Sequence, residues 1–371
     1  MTSAGPRGNG SRARSREAWQ YGLGLAIIMI MAMIFQEVAS ASTTHQESAH
    51  YDPTRAVMLV ETGATHGVLF RIFPPIRTWH ATHTVTAGAS NGDAGSPAKA
   101  EESVALNAQD RLRRTQPRPS YLLGTIHFGT PEEQGVDYSI LENALAGVHT
   151  FVNEANLDEA WQTSYDEYRW LPSEQPLSAM VSKDSYAMAR SLLPNVRAQD
   201  LVRMKPWSVL ALLEARGETG GDTTMDAQLQ RIAIASGKRL VHLETLEQQL
   251  KALDCVPAKE HAQVLEERLH APWILRDESA AAMTYYRTRN LGRWLADIDH
   301  MHGLSDAGRV IEQRSRRCLL EQRNARWLGP LETLFQEGSS FVAVGAIHLV
   351  GPEGLLETLR RDGYRIEEVP L

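Results

Sequence analysis

Cysteine is nearly missing from this chain: 371 residues hold only Cys255 and Cys318. One pair permits a single disulfide in an oxidising compartment. Sequence leaves open whether the two Cα atoms come within about 7 Å, and the plain alternative is two small buried side chains. Basic stripes are missing too. The net charge of −7 is spread without long blocks of one sign, which argues against a nucleic-acid partner. No H-E-x-x-H occurs, so a zincin is excluded by motif. The apolar run from Leu23 to Phe35 falls short of the roughly 20 residues that span a membrane.

What is present is a globular composition, 43% apolar and 22% charged, enough for one large domain or two ordinary ones. The first residues follow the plan of a secretory signal. Arg7, Arg12, Arg14 and Arg16 form a basic region, the Leu23–Phe35 run follows, and Ala39-Ser40-Ala41 offers a cleavage site. Residues 1–41 are therefore expected to be a signal peptide cleaved after Ala41, and the mature chain periplasmic or secreted. An uncleaved anchor is the runner-up and the only expected membrane contact. No cysteine stands near Ala41, so a lipoprotein anchor is unsupported. Residues 42–66 are polar and aperiodic, a flexible segment.

One pattern occurs twice. Ser120-Tyr121-Leu122-Leu123-Gly124-Thr125-Ile126-His127-Phe128-Gly129 and Phe341-Val342-Ala343-Val344-Gly345-Ala346-Ile347-His348-Leu349-Val350-Gly351 each run apolar strand, Gly, two residues, His, then Gly. Both runs are too short for a helix and read as buried strands. A glycine at the strand end permits a tight turn or a close backbone approach. The histidines then sit just past strand ends, where α/β folds gather ligands. Two such half-sites are expected to meet in one pocket.

Further strands are read at 67–73, 148–154, 239–244 and 364–369. Helices are read at 137–146, 177–193, 207–215, 225–236, 246–254, 257–269, 278–298 and 307–335, the last broken at Gly329-Pro330. Residues 76–119 read as a low-complexity surface insertion around the small-residue stretch Ala87–Pro97. The expectation is an α+β domain over 67–371. Its mixed sheet is built from both ends of the chain, and a large helical segment is inserted between them.

Two histidines and a carboxylate form a minimal catalytic metal set. His127 and His348 supply the imidazoles, and Glu154, ending the next strand, is the best carboxylate. The bland reading of a lone G-x-x-H is a turn histidine bonded to a carbonyl; the duplication favours function. Glu244 follows a strand, as Glu154 does, and could enter the pocket; the favoured reading is the N-cap of the helix near Leu246, together with Thr245. Asp226 is read as a first-turn acid facing the helix dipole. Gly88-Ala89-Ser90-Asn91-Gly92 lacks the helix an esterase elbow needs. His80-Ala81-Thr82-His83 and Asp297–His302 suggest only adventitious surface metal binding.

With these blocks the chain resembles the TraB/GumN family, which includes the Tiki proteases. The likeness runs through Tyr121–His127, Phe151-Val152-Asn153-Glu154, Gly237–Thr245 with Glu247-Gln248, Arg323-Asn324, Phe341–Gly351 and Gly363-Tyr364. The resemblance implies paired G-x-x-H motifs and an early Glu as the site, and a Mn²⁺ or Co²⁺ ion. It makes His127, Glu154 and His348 metal candidates. It makes Glu154, Arg323 and Asn324 catalytic candidates, the last two binding a substrate carbonyl or orienting a ligand. The leading expectation is an exported metal-dependent hydrolase acting on peptides or another envelope substrate. The alternatives are a non-catalytic envelope protein that binds a peptide or saccharide, and a metal-free ester hydrolase using His and Glu as acid and base.

Overall fold

The structure, a computed structural model, describes residues 67–75, 118–217 and 224–371. The signal peptide, the segment 42–66, residues 76–117 of the insertion, His80, His83 and the Gly88–Gly92 match lie outside the described residues.

Six strands form one sheet: β1 (Leu69–Phe73), β2 (Ser120–Thr125), β3 (Thr150–Asn153), β4 (Arg239–His242), β5 (Ser340–Gly345) and β6 (Arg365–Glu368). Their order is β4-β3-β5-β2-β1-β6. The run β4-β3-β5-β2 is parallel, while β1 pairs antiparallel with β2 and β6. The fold is α+β, and its mixed sheet joins both ends of the chain. Central β5 buries Phe341, Val342, Ala343 and Val344 completely, as its unbroken apolar run requires of a strand covered on both faces. Each large side chain so buried is worth about 1.5–3 kcal/mol. Edge strand β6 keeps Arg365 and Glu368 exposed, a charged edge that discourages further pairing.

The helices that matter for the site begin at well-made caps. Helix α1 (Tyr138–Ala146) follows Asp137, whose side chain accepts from the Ser139 N–H. Helix α2 (Met225–Ala235) starts at Thr224, which accepts from the Ala227 N–H. Helix α3 (Leu246–Leu253) starts at a capping box of Thr245 and Gln248. Thr245 makes that cap unaided, which corrects the expectation for Glu244. Its carboxylate is turned inward.

The remaining helices surround a second apolar core containing Leu177, Leu201, Leu265, Leu275 and Ile311. They include α4 (Ala258–His270), α5 (Pro272–Arg287), whose far end reaches the sheet's core, and α6 (Asp306–Arg316). Helix α7 (Gln322–Glu337) packs instead on the sheet through Trp327, Leu331 and Phe335. Two expected long helices are divided. The stretch 177–193 becomes Leu177–Met180 and Lys183–Leu192, with Ser182 capping the second. Between Arg287 and Leu291 the chain turns through Arg289 at φ 61°. The last long helix is irregular at a π-helical segment, Arg317–Glu321, and runs on through Pro330. Gly329 and Pro330 lie on its exposed face, where water can serve the carbonyl that proline leaves unpaired. Cys255 and Cys318 are joined as a disulfide with Cα atoms 6.6 Å apart. No helix among the described residues is long and apolar enough to cross a membrane.

Candidate functional site

All four parallel strands deliver polar side chains at their C-terminal ends. β2 leads into His127, β3 into Glu154, β4 into Glu244 and β5 into His348. Thr125 of β2 lies opposite Gly345 of β5 in register, so the two motifs are neighbours. Their glycines serve close approach. A Cβ on Gly124 would sit 2.8 Å from the Ala346 Cα, so only glycine lets β2 pass the turn that carries His348. A Cβ on Gly345 would meet Glu154 Oε1 at 3.4 Å, His127 Nε2 at 3.5 Å and His348 Cδ2 at 3.5 Å. The three side chains therefore surround one small cradle above Gly345.

Each histidine has its own orienting partner. His127 Nδ1 lies 3.0 Å from Asp226 Oδ2, and Asp226 Oδ1 accepts from the Thr125 hydroxyl at 2.9 Å. A carboxylate can only accept, so Nδ1 carries the proton and Nε2 offers its lone pair to the cradle. Burial lowers the His127 pKa, but Asp226 outweighs it and the net shift is upward. His348 Nδ1 faces Asn324 Oδ1 at 2.8 Å, and its Nε2 accepts from Arg323 Nη1 at 3.1 Å. Burial, reinforced by Arg323, holds this imidazole down at about 3. Its ring also packs at a tilt against Trp327, centroids 4.6 Å apart.

Arg323 is the hub. Its Nε and Nη2 donate to Glu244 at 3.0 and 2.5 Å, and Nη2 donates to Glu154 Oε2 at 2.6 Å. Its Nη1 also donates to the Leu319 carbonyl at 3.3 Å. The guanidinium thus has acceptors for all five of its N–H groups. Glu154 is equally well held, accepting from the Gly345 N–H at 2.7 Å and from Gln249 Nε2 at 3.2 Å. Burial opposes its ionisation, but Arg323 and the two histidines keep the carboxyl well below the usual carboxylate range.

Asn324 donates to the carbonyls of His348 and Glu353 at 3.0 and 2.9 Å. It orients His348, and its N–H groups are taken. Sequence reasoning gave Asp226 a helix-end duty and favoured the same for Glu244, whose place after a strand also allowed it into the pocket. The structure places both against the site, Asp226 on His127 and Glu244 on Arg323. For Asp226 the usable signal was an acid within two residues of an N-cap that already has its own capping side chain.

The donor types suit the Mn²⁺ or Co²⁺ ion that the resemblance implied; the arrangement does not. His348 Nε2 and Glu154 Oε2 both accept from the Arg323 cation, which stands where an ion binding both would sit. Among the described residues, no group of three or more His, Cys, Asp or Glu is placed to hold a metal. As arranged, two histidines and two glutamates are organised around a buried guanidinium.

A family model described as "TraB/PrgY/gumN family" matches residues 111–368. No curated protein and no solved structure gives a match.

Proposed function

The chain belongs to the TraB/PrgY/gumN family, and from that premise we propose that it is an exported hydrolase acting on peptide bonds. The observation that carries the reading is the convergence of His127 Nε2 and Glu154 Oε1 on the Gly345 cradle, with Asp226 behind His127. In the proposed reaction His127 removes a proton from a water in the cradle as that water attacks the substrate carbonyl. Asp226 keeps the imidazole in the right tautomer and stabilises the imidazolium, and Glu154 adds its negative charge. The imidazolium then returns the proton to the leaving amine. Arg323, the Gly345 N–H and Gln249 hold Glu154 in place, and His348 accepts from Arg323. Export accords with the Cys255–Cys318 disulfide, since such bonds persist in oxidising compartments.

A second reading keeps a divalent ion, Mn²⁺ or Co²⁺; it requires Arg323 to release His348, whose Nε2 lies 3.9 Å from Glu154 Oε1. Elemental analysis of chain purified without chelator or His-tag decides between them. Near-stoichiometric metal that is lost in a His127→Ala/His348→Ala variant supports the ion. The main test is a peptide and ester substrate screen with the wild type and His127→Ala. Turnover that the variant loses while folding cooperatively supports the hydrolase. Peptide or saccharide binding with thermal stabilisation and no product sinks it in favour of a binding protein.

A further inference from the structure

The cysteine pair sits where it can govern the hub of the site. We propose that the Cys255–Cys318 disulfide is a redox-sensitive clamp that fixes Arg323 by pinning the π-helical segment in front of it. The claim about position stands on the geometry below; only its effect on turnover rests on the hydrolase reading.

The phase of the helix carries the argument. Helix α6 buries Gly308, Ile311 and Ser315, the spacing of one face of an α-helix. Continued without interruption, that face would next present Leu319 and Gln322. Gln322 is instead exposed, and the buried positions of α7 begin at Arg323, Asn324 and Trp327. The five residues Arg317–Glu321 absorb the change of phase by widening the helix, a rare device that frequently falls at functional sites. Without it, Arg323 would not face Glu154 and Glu244.

The segment is only partly buried: Cys318, Leu319 and Leu320 are half-buried, and Arg317 and Glu321 are exposed. The Arg317–Glu321 ion pair, 3.6 Å apart, joins two largely exposed side chains and is worth little. The covalent tie at Cys318 is the firm anchor, and it leads to Cys255, just past α3. The segment packs against α3 and against the turn carrying His348. Helix α3 also supplies Gln249, which donates to Glu154. Arg323 reaches back to the Leu319 carbonyl inside the segment, so its position and the widened turn are linked directly.

The bond is reachable. Cys255 is exposed and Cys318 half-buried. A dithiol cleaves it in two exchanges. Its first thiolate attacks one sulfur, forms a mixed disulfide and expels the other cysteine as a thiolate. Its second thiolate then closes the reductant's own disulfide and frees the remaining cysteine. Cys255 and Cys318 together gain two electrons and two protons, which the dithiol loses. The freed segment then relaxes toward α-helical phase, and Arg323 loses its fixed approach to the two carboxylates.

The experiment is hydrogen exchange, read by mass spectrometry on the full chain, oxidised and after dithiothreitol. A Cys255→Ser/Cys318→Ser variant runs beside it; should it not fold, reduction of the folded oxidised protein still answers. Amides of residues 317–327 are expected to exchange at least about tenfold faster on reduction, with those of β2 and β5 unchanged. A uniform rise across the sheet would make the bond a general staple, and no change would make it inert; either overturns the clamp. Where a peptide substrate has been found, turnover should fall at least about tenfold on reduction, a loss of roughly 1.4 kcal/mol of transition-state stabilisation. Unchanged turnover beside localised exchange overturns control of the site. If no substrate is found, the exchange pattern decides the clamp without it.

Discussion

His127 and His348 end the same local pattern on neighbouring parallel strands, yet their surroundings are electrically opposite. His127 backs onto an anion, Asp226, and stays part-exposed, its side chain 30% accessible. His348 backs onto a neutral amide, receives a hydrogen bond from a guanidinium and is buried. One imidazole is prepared to take a proton and the other to refuse it. A repeated motif therefore marks two positions of one pocket without giving them one duty. The partners that assign the duties, Asp226 and Asn324, come from helices about a hundred and about twenty residues away along the chain.

The strongest way to break this comparison is to remove each ring in turn. His127→Ala should lower turnover by about 10²–10⁴-fold, the range of a general base, and change unfolding free energy by under about 1 kcal/mol. His348→Ala should cost about 2–4 kcal/mol, because it leaves one Arg323 N–H and the Asn324 Oδ1 without their partner and opens a cavity against Trp327. Equal effects in denaturant titrations of the two variants would erase the distinction. Asp226→Asn should follow His127→Ala in turnover, by about 10²-fold or more, and leave the midpoint of unfolding nearly in place.

Acid titration sharpens the contrast. An unfolded histidine protonates near 6.5, whereas folded His348 resists down to about 3. Between those values the unfolded chain binds more protons. Stability owed to His348 is thus present above pH 6.5 and drains as pH falls toward 3, by a few kcal/mol in order of magnitude. His127, raised above 6.5, contributes in the other sense: fully below pH 6.5, and lost as pH rises through its folded value. Urea unfolding of His348→Asn and His127→Asn against wild type, from pH 4 to 8, should show slopes of opposite sign.

The glycines give the smallest effects and the same asymmetry. Gly124→Ala should destabilise by about 1–3 kcal/mol, since its new methyl meets backbone. Gly345→Ala should cost under about 1 kcal/mol and yet fill the cradle, reducing turnover well beyond its effect on folding. Thermal melts and rates measured side by side would separate the two.

Much of this arrangement was legible in the chain. The buried strands announced themselves by short apolar runs, and the doubled Gly-x-x-His pointed to one pocket. Asp226 was not legible, because an acid near a helix start has a sufficient local explanation in the dipole. Glu244 was legible as a residue after a strand, but the cap explained it as well; only the pairing of β4 with β3 brings it beside Glu154. The π-helical segment was hidden for a different reason. Gly329-Pro330 is the louder breaker, but it falls on the solvent face, where its cost is small. The true irregularity, at Arg317–Glu321, has an ordinary helical composition and shows itself only in the shift of the buried face.

The strand order has a further consequence, for the time at which this protein comes into being. β5 lies between β3 and β2. Until Ser340–Gly345 has left the ribosome, the sheet exists only as two fragments, β1 with β2 and β3 with β4. Cradle and hub alike wait for β5 and the turn that carries His348. Such long-range closure folds slowly, and it means that a chain still being made, or cut before Ser340, carries every strand of the pocket but one.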